Sequence, residues 1–239
     1  MAQHAPPARG ARLGRAAGAN GSVSTVNGVV LLLPGASRFS PGPVRPLARA
    51  LARAGRRDGL VAHAVTYGAG SREEAARWAA DEAVRLYGDV PVCLAGHGAG
   101  GGTALRAAGH GAVNSVLAMA PCLGDAAHDA SPEPVKQLAG RQVLIVHGTN
   151  DARSDPEASF LLAARAKKAN RSTCRFEVHS DGHGLREHQA EVVALGVDFV
   201  LGAMLSGRYS RPVTDALAAP PPLGLRMPLA SGFGRSLRG

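Results

Sequence analysis

Residues 90–101 read V-P-V-C-L-A-G-H-G-A-G-G, and no other stretch restricts the fold as much. An apolar run of strand length meets glycines at 96, 98, 100 and 101 and passes into T-A-L-R-A-A, a helix-forming segment. The reading is a strand, a very tight turn and a helix.

The same alternation recurs along the chain. Residues 29–33 form a continuous apolar run ending at Pro34-Gly35, the pattern of a strand buried on both faces. Val44, Leu47, Ala48 and Leu51 fall at helical spacing, with Arg45, Arg49 and Arg53 on the other side. Residues 60–67 read as the second strand, and Ser71-Arg72-Glu73-Glu74 as a capping box opening a helix that runs to about Tyr87. Beyond the glycine turn, strands are expected at 113–120, 143–147 and 174–179, and helices near 156–169 and 185–205. This alternation implies an α/β fold: a mainly parallel sheet of about six strands, right-handed crossovers and helices on both faces. Residues 1–25 lack apolar periodicity and are expected to be a disordered tail whose deletion leaves the urea midpoint nearly unchanged. From 207 on, Pro220-Pro221-Pro222 and scattered glycines predict no regular element, only a basic tail that is disordered or draped over the core. The expected organisation is therefore a tail (1–25), one domain (26–206) and a second tail (207–239).

The glycine turn resembles the nucleophile elbow of the α/β-hydrolases, G-x-S-x-G, with one change: Gly96-His97-Gly98-Ala99-Gly100 has glycine where the family has serine. The resemblance implies a three-layer sandwich of strand order 2-1-3-4-5-6, similar to compact, lidless, dienelactone-hydrolase-like or esterase-like members. It implies an acid at Asp151, in His147-Gly148-Thr149-Asn150-Asp151 after the fifth strand, and a histidine at His183, in Asp181-Gly182-His183-Gly184 after the sixth. Gly98 is then a degenerate nucleophile position, with oxyanion-hole amides from Ala36 and Ala99. His97, Met119 and Cys122 would border the pocket, His97 for packing or hydrogen bonding and Met119, like Leu123, as lining or core. For an isolated residue, a turn-capping Asp151 or a solvated His183 would be the plainer reading. His179 and His188 are alternative bases, and Ser37, Ser40 and Cys122 alternative nucleophiles, although none of these three sits on an elbow. Residues 122–131 leave no room for a large lid. The implied activity is hydrolysis of a small ester, thioester or other acyl substrate, with fast serine-type catalysis not expected. The alternative is a non-catalytic protein that binds a small acyl or carboxylate ligand or a protein partner.

With 239 residues and 45% hydrophobic content, the chain can bury one sizeable core. Its formal charge of +9 would suggest a nucleic-acid binder, but residues 1–28 carry +3 and residues 205–239 carry +4, leaving only +2 for residues 29–204. The charge belongs to the ends, so specific nucleic-acid binding is not expected. Arginine outnumbers lysine 24 to 3, which reads as the codon bias of a GC-rich genome. No run of 18 apolar residues and no signal-peptide pattern is present, so a cytoplasmic protein without a membrane partner is expected. Cys93, Cys122 and Cys174 have unrelated spacings, which predicts neither a disulfide nor a zinc site, and no cofactor is implied.

Overall fold

A computed structural model describes residues 10–18, 25–35, 42–124 and 133–235. In chain order the elements are β1 (Arg12–Leu13), β2 (Ala17–Gly18), β3 (Gly28–Leu33), α1 (Val44–Ala54), β4 (Leu60–Thr66), α2 (Arg72–Tyr87), β5 (Val92–His97), α3 (Ala99–Ala107), β6 (Val113–Met119), β7 (Gln142–Gly148), α4 (Pro156–Ala169), β8 (Thr173–Val178), α5 (Gln189–Leu201), α6 (Arg211–Ala218) and β9 (Met227–Pro228). The sheet runs β1-β4-β3-β5-β6-β7-β8-β9, with β2 also on β4. Its six long strands, β4-β3-β5-β6-β7-β8, are parallel and stand in the expected order 2-1-3-4-5-6.

Alternation along the strands divides the apolar side chains between two cores. Val30, Leu32, Cys93, Ala95, Leu117 and Met119 face α1, α5 and α6, whereas Leu31, Leu33, Val92, Leu94, Val116 and Ala118 face α2, α3 and α4. The capping box of α2 forms as expected: Glu74 N–H donates to Ser71 Oγ at 3.1 Å and Ser71 N–H donates to Glu74 Oε2 at 3.2 Å. The apolar stretch Gln189–Ser206, comprising α5 and a π-type turn, is long and apolar enough to cross a membrane by length and composition. Here its apolar side serves the core, through Val192, Leu195, Phe199 and Val200.

Both ends depart from the sequence reading. Within the segment expected to be disordered, β1 and β2 pair antiparallel with β4. A buried side chain completes the attachment: His63 on β4 donates from Nδ1 to the Gly14 carbonyl at 2.8 Å and accepts from the Tyr87 hydroxyl at Nε2, 2.7 Å away. Two-residue strands are too short for any periodicity to be legible. At the other end, α6 contradicts the expectation of no regular element beyond 207. Pro212 lies in its first turn, where the missing N–H costs nothing, and Ser210 before it donates from N–H and Oγ to Asp198 of α5. The prolines at 220–222 follow the helix rather than prevent it. Lys167, buried on α4, donates to the carbonyls of Ala216 and Leu217 at the C-terminus of α6 at 2.9 and 3.1 Å, and to that of Thr173 at 2.9 Å. The chain then adds β9 in parallel to β8.

Candidate active site

The turn between β5 and α3 places Gly98 at φ 57° and ψ −122°, backbone angles that a residue with a Cβ adopts only under strain. Glycine meets no such penalty. The flanking glycines answer a different need, close approach: a Cβ on Gly96 would strike the Gly100 carbonyl, and one on Gly100 the Leu33 carbonyl. The first turn of α3 is thus wedged against the end of β3. Gly98 is itself held by its neighbours, its N–H donating to the Met119 carbonyl and its carbonyl accepting from Cys122 N–H, both at 2.9 Å.

Asp151 and His183, brought by the loops after β7 and β8, meet beside this turn. The Asp151 side chain is fully buried, and its Oδ2 lies 2.8 Å from Nδ1 of His183, whose side chain is 16% exposed. A carboxylate only accepts, so Nδ1 carries the hydrogen, and in the neutral ring Nε2 presents a lone pair. That lone pair faces the glycine turn: a Cβ built on Gly98 would lie 3.0 Å from His183 Nε2 and 3.8 Å from Cys122 Sγ.

Two donors that the sequence did not reveal converge on the same carboxylate. Ser154 Oγ donates to Asp151 Oδ2 at 2.6 Å and lies 3.1 Å from His183 Nδ1. His147 Nε2 lies 3.1 Å from that oxygen. The other carboxylate oxygen, Oδ1, accepts the N–H groups of Arg153 and Ser154 at 2.8 and 3.0 Å. Burial by itself would raise the Asp151 pKa. The hydrogen bonds from His147, His183, Ser154 and the Arg153 amide outweigh it and hold the carboxyl well below the usual range.

The histidine loop has an organiser of its own, also missed from sequence. Buried Asp181 accepts the N–H groups of Gly182, Arg186 and His188, each at 3.0 Å, so its charge is used in folding residues 182–188 into a turn. A cleft of about 350 Å³ opens beside His183, with Arg153, Asp181, Arg186 and Glu187 among its walls.

The remaining sequence candidates separate. His97 is buried, and its Nε2–H donates to the His183 carbonyl at 2.6 Å with the two rings 4.9 Å apart, so it braces the histidine loop. Burial lowers its pKa, and the hydrogen bond to the His183 carbonyl, which acts the other way, does not offset it. Met119 does not line the cleft but lies in the core, touching the site only through its carbonyl. Cys122 is half-buried near the turn. Burial and then Asp151 raise its pKa, and Arg153, Arg72 and Arg106 do not reverse this, so the thiol is protonated at neutral pH. His188 caps α5, its Nδ1 3.6 Å from Asp181, and His179 is exposed at the end of β8. Neither faces Gly98. Leu123 packs against the core on the α2, α3 and α4 side. Ala36, Ser37 and Ser40 lie outside the described residues, as does most of the 122–131 segment. Ala99 supplies the first amide of α3, one of those a helix leaves without an intrahelical acceptor.

No protein-family model matches the sequence, and no curated protein matches it. Solved structures do. A lidless α/β serine hydrolase of Xanthomonas campestris aligns with TM-score 0.60 and 18% identity over 80% of this chain and 88% of its own. The chain has an α/β-hydrolase fold. Est1E of Butyrivibrio proteoclasticus is similar at TM-score 0.60 and 16% identity, covering 81% of this chain and 98% of its own. Esterase 2 of Thermogutta terrifontis, solved phosphonylated by cyclosarin, aligns at TM-score 0.58 and 21% identity over 84% and 97%. At such identities the likeness speaks for the fold, and the chemistry rests on the side chains described above.

Proposed function

We propose that this chain is a hydrolase-fold protein with a degenerate triad, in which His183, oriented by Asp151, activates a water above Gly98 for slow hydrolysis of a small ester, thioester or related acyl compound. The observation that carries this reading is the aim of the His183 Nε2 lone pair at the glycine turn, with Nδ1–H committed to Asp151. Water attacks the acyl carbon as its proton passes to Nε2. The developing oxyanion takes the Ala99 amide, with Ala36 the expected second donor, and the alcohol or thiol leaves with the proton from Nε2. The neighbours in fold that are described as serine hydrolases and esterases support the substrate class. With no side-chain nucleophile, the expected acceleration is about 10³–10⁴-fold over water, the residue left in well-studied triads after the nucleophile is removed.

A second reading, a binding protein for a small acyl or carboxylate ligand, is favoured by one distance. At 3.0 Å from a Cβ at 98, the imidazole sits a few tenths of an ångström nearer than an ordinary contact allows, so the space between His183 and position 98 is fitted to glycine. A panel of p-nitrophenyl esters together with a fluorophosphonate probe separates the two. Turnover above background that disappears in His183→Ala, without serine labelling, supports water activation. No turnover, with a small carboxylate raising the melting temperature, supports the binding protein.

A further inference from the structure

We infer that His147 is a positioning residue for the base His183, acting through Asp151; this rests on the reading of His183 as the base. His147 is the penultimate residue of β7, its side chain fully buried. Its Nε2 faces Asp151 Oδ2 at 3.1 Å and the Ser154 carbonyl at 3.2 Å. Both are acceptors, so Nε2 must carry a hydrogen and donate it. The far side of the ring is anchored as firmly. Nδ1 lies 2.8 Å from Ser159 Oγ on α4, a hydroxyl whose single hydrogen is shared with the Pro156 carbonyl at 2.8 Å and whose oxygen accepts Arg175 Nε–H at 3.0 Å. Arg175, itself buried, is fixed on β8 by Glu177 at 2.7 Å and by the carbonyls of Leu225 and Pro156 at 2.9 and 3.1 Å.

The imidazole thus connects the carboxylate facing the site to a frame built from β8, α4 and the C-terminal segment. Asp151 Oδ2 is shared among His147, Ser154 and His183. A fixed donor at His147 sets how much of that oxygen remains for His183 and resists rotation of the carboxylate, which in turn keeps Nε2 of His183 aimed at position 98. The i, i+4 spacing of His147 and Asp151 is built into the loop that carries the acid.

The test is the proton resonance of His183 Nδ1–H in the full chain. His147→Leu removes the competing donor and should displace the signal. His147→Gln, whose amide nitrogen can occupy the place of Nε2, should return it toward the wild-type position. In a Gly98→Ser background the Leu variant should lower kcat about tenfold, the low end of what losing an orienting partner of a histidine costs, with little change in KM and recovery in the Gln variant. An unmoved resonance in His147→Leu overturns the inference, as does equal displacement by Leu and Gln. If the Leu variant does not fold, Ser159→Ala, which removes the anchor on Nδ1, must displace the resonance, and an unmoved signal overturns the inference there too. Loss of ester hydrolysis in every background with the resonance still displaced would remove the hydrolytic reading and leave the positioning role standing.

Discussion

At the scale of single residues, position 98 joins stability to chemistry. Gly98→Ser puts a Cβ at φ 57° and 3.0 Å from His183 Nε2, so the variant should lose roughly 1–3 kcal/mol in a denaturant melt. The imidazole is partly exposed and can yield by the few tenths of an ångström required. The new hydroxyl would then lie beside Nε2 and the Ala99 amide, and acetate-ester hydrolysis with fluorophosphonate labelling should appear in the same purified sample. Stability lost without activity gained would leave the binding reading in possession of the site. Asp151 yields a second prediction. Its pKa is held below the unfolded value, so the unfolded chain binds the extra proton and the native carboxylate stabilises the fold above about pH 4. That contribution should drain away as pH falls from there toward the lower folded value. Asp151→Asn should therefore flatten the acid limb of a stability-versus-pH curve, and an unchanged limb would contradict the hydrogen bonding described. Asp151, His183 and Gly98 were legible because each follows a strand in a recognisable order. His147 and Ser154 were not, because a histidine near the end of a strand and a serine in a polar loop carry no signal until folding brings them to one carboxylate.

At the scale of elements, the interior of the chain was legible and its ends were not. Near-continuous apolar runs mark β3, β5 and β7, strands covered on both faces, whereas β4, β6 and β8 carry polar residues within shorter apolar stretches. β1, β2 and β9 contribute two residues each and owe their existence to the edges already formed by β4 and β8. The proline triplet hid α6, although the helix has its own start signal in Ser210-Arg211-Pro212. Removing residues 207–239 would strip Lys167 of the Ala216 and Leu217 carbonyls and Arg175 of the Leu225 carbonyl, and would uncover the apolar surface against which Val213, Ala216, Leu225 and Leu229 are buried. A loss of about 3 kcal/mol or more in the urea-derived stability is expected, since fully burying one such aliphatic side chain contributes roughly 1.5–3 kcal/mol. A truncation that melts like the full chain would mean these contacts are dispensable. At the other end, deleting residues 1–18 should cost more than the ~0.5 kcal/mol typical of surface changes, because His63 loses the Gly14 carbonyl in a buried position. That reverses the expectation drawn from composition alone.

At the scale of the whole molecule, the sheet ties both ends of the chain to the domain between them. The N-terminal strands hold one edge and β9 the other, with the six long strands between them. Neighbouring residues of a single strand, such as Leu31 and Leu32, serve opposite cores, so neither core can melt while the other keeps its strands. The site adds cross-links of its own: Asp151 after β7 holds His183 after β8, and His97 at the end of β5 holds the carbonyl of His183. Unfolding in urea should therefore be a single transition. The one tryptophan, Trp78, sits half-buried on α2 against the core shared with α3 and α4, and its fluorescence reports the β4 side of the sheet. Far-UV circular dichroism averages over all helices, including α5 and α6 on the opposite face. The two midpoints should coincide, the standard test of two-state behaviour. A Trp78 transition at distinctly lower urea would mean that α2 and the β4 edge detach first, and the shared strands would then not couple the two cores as their alternation requires.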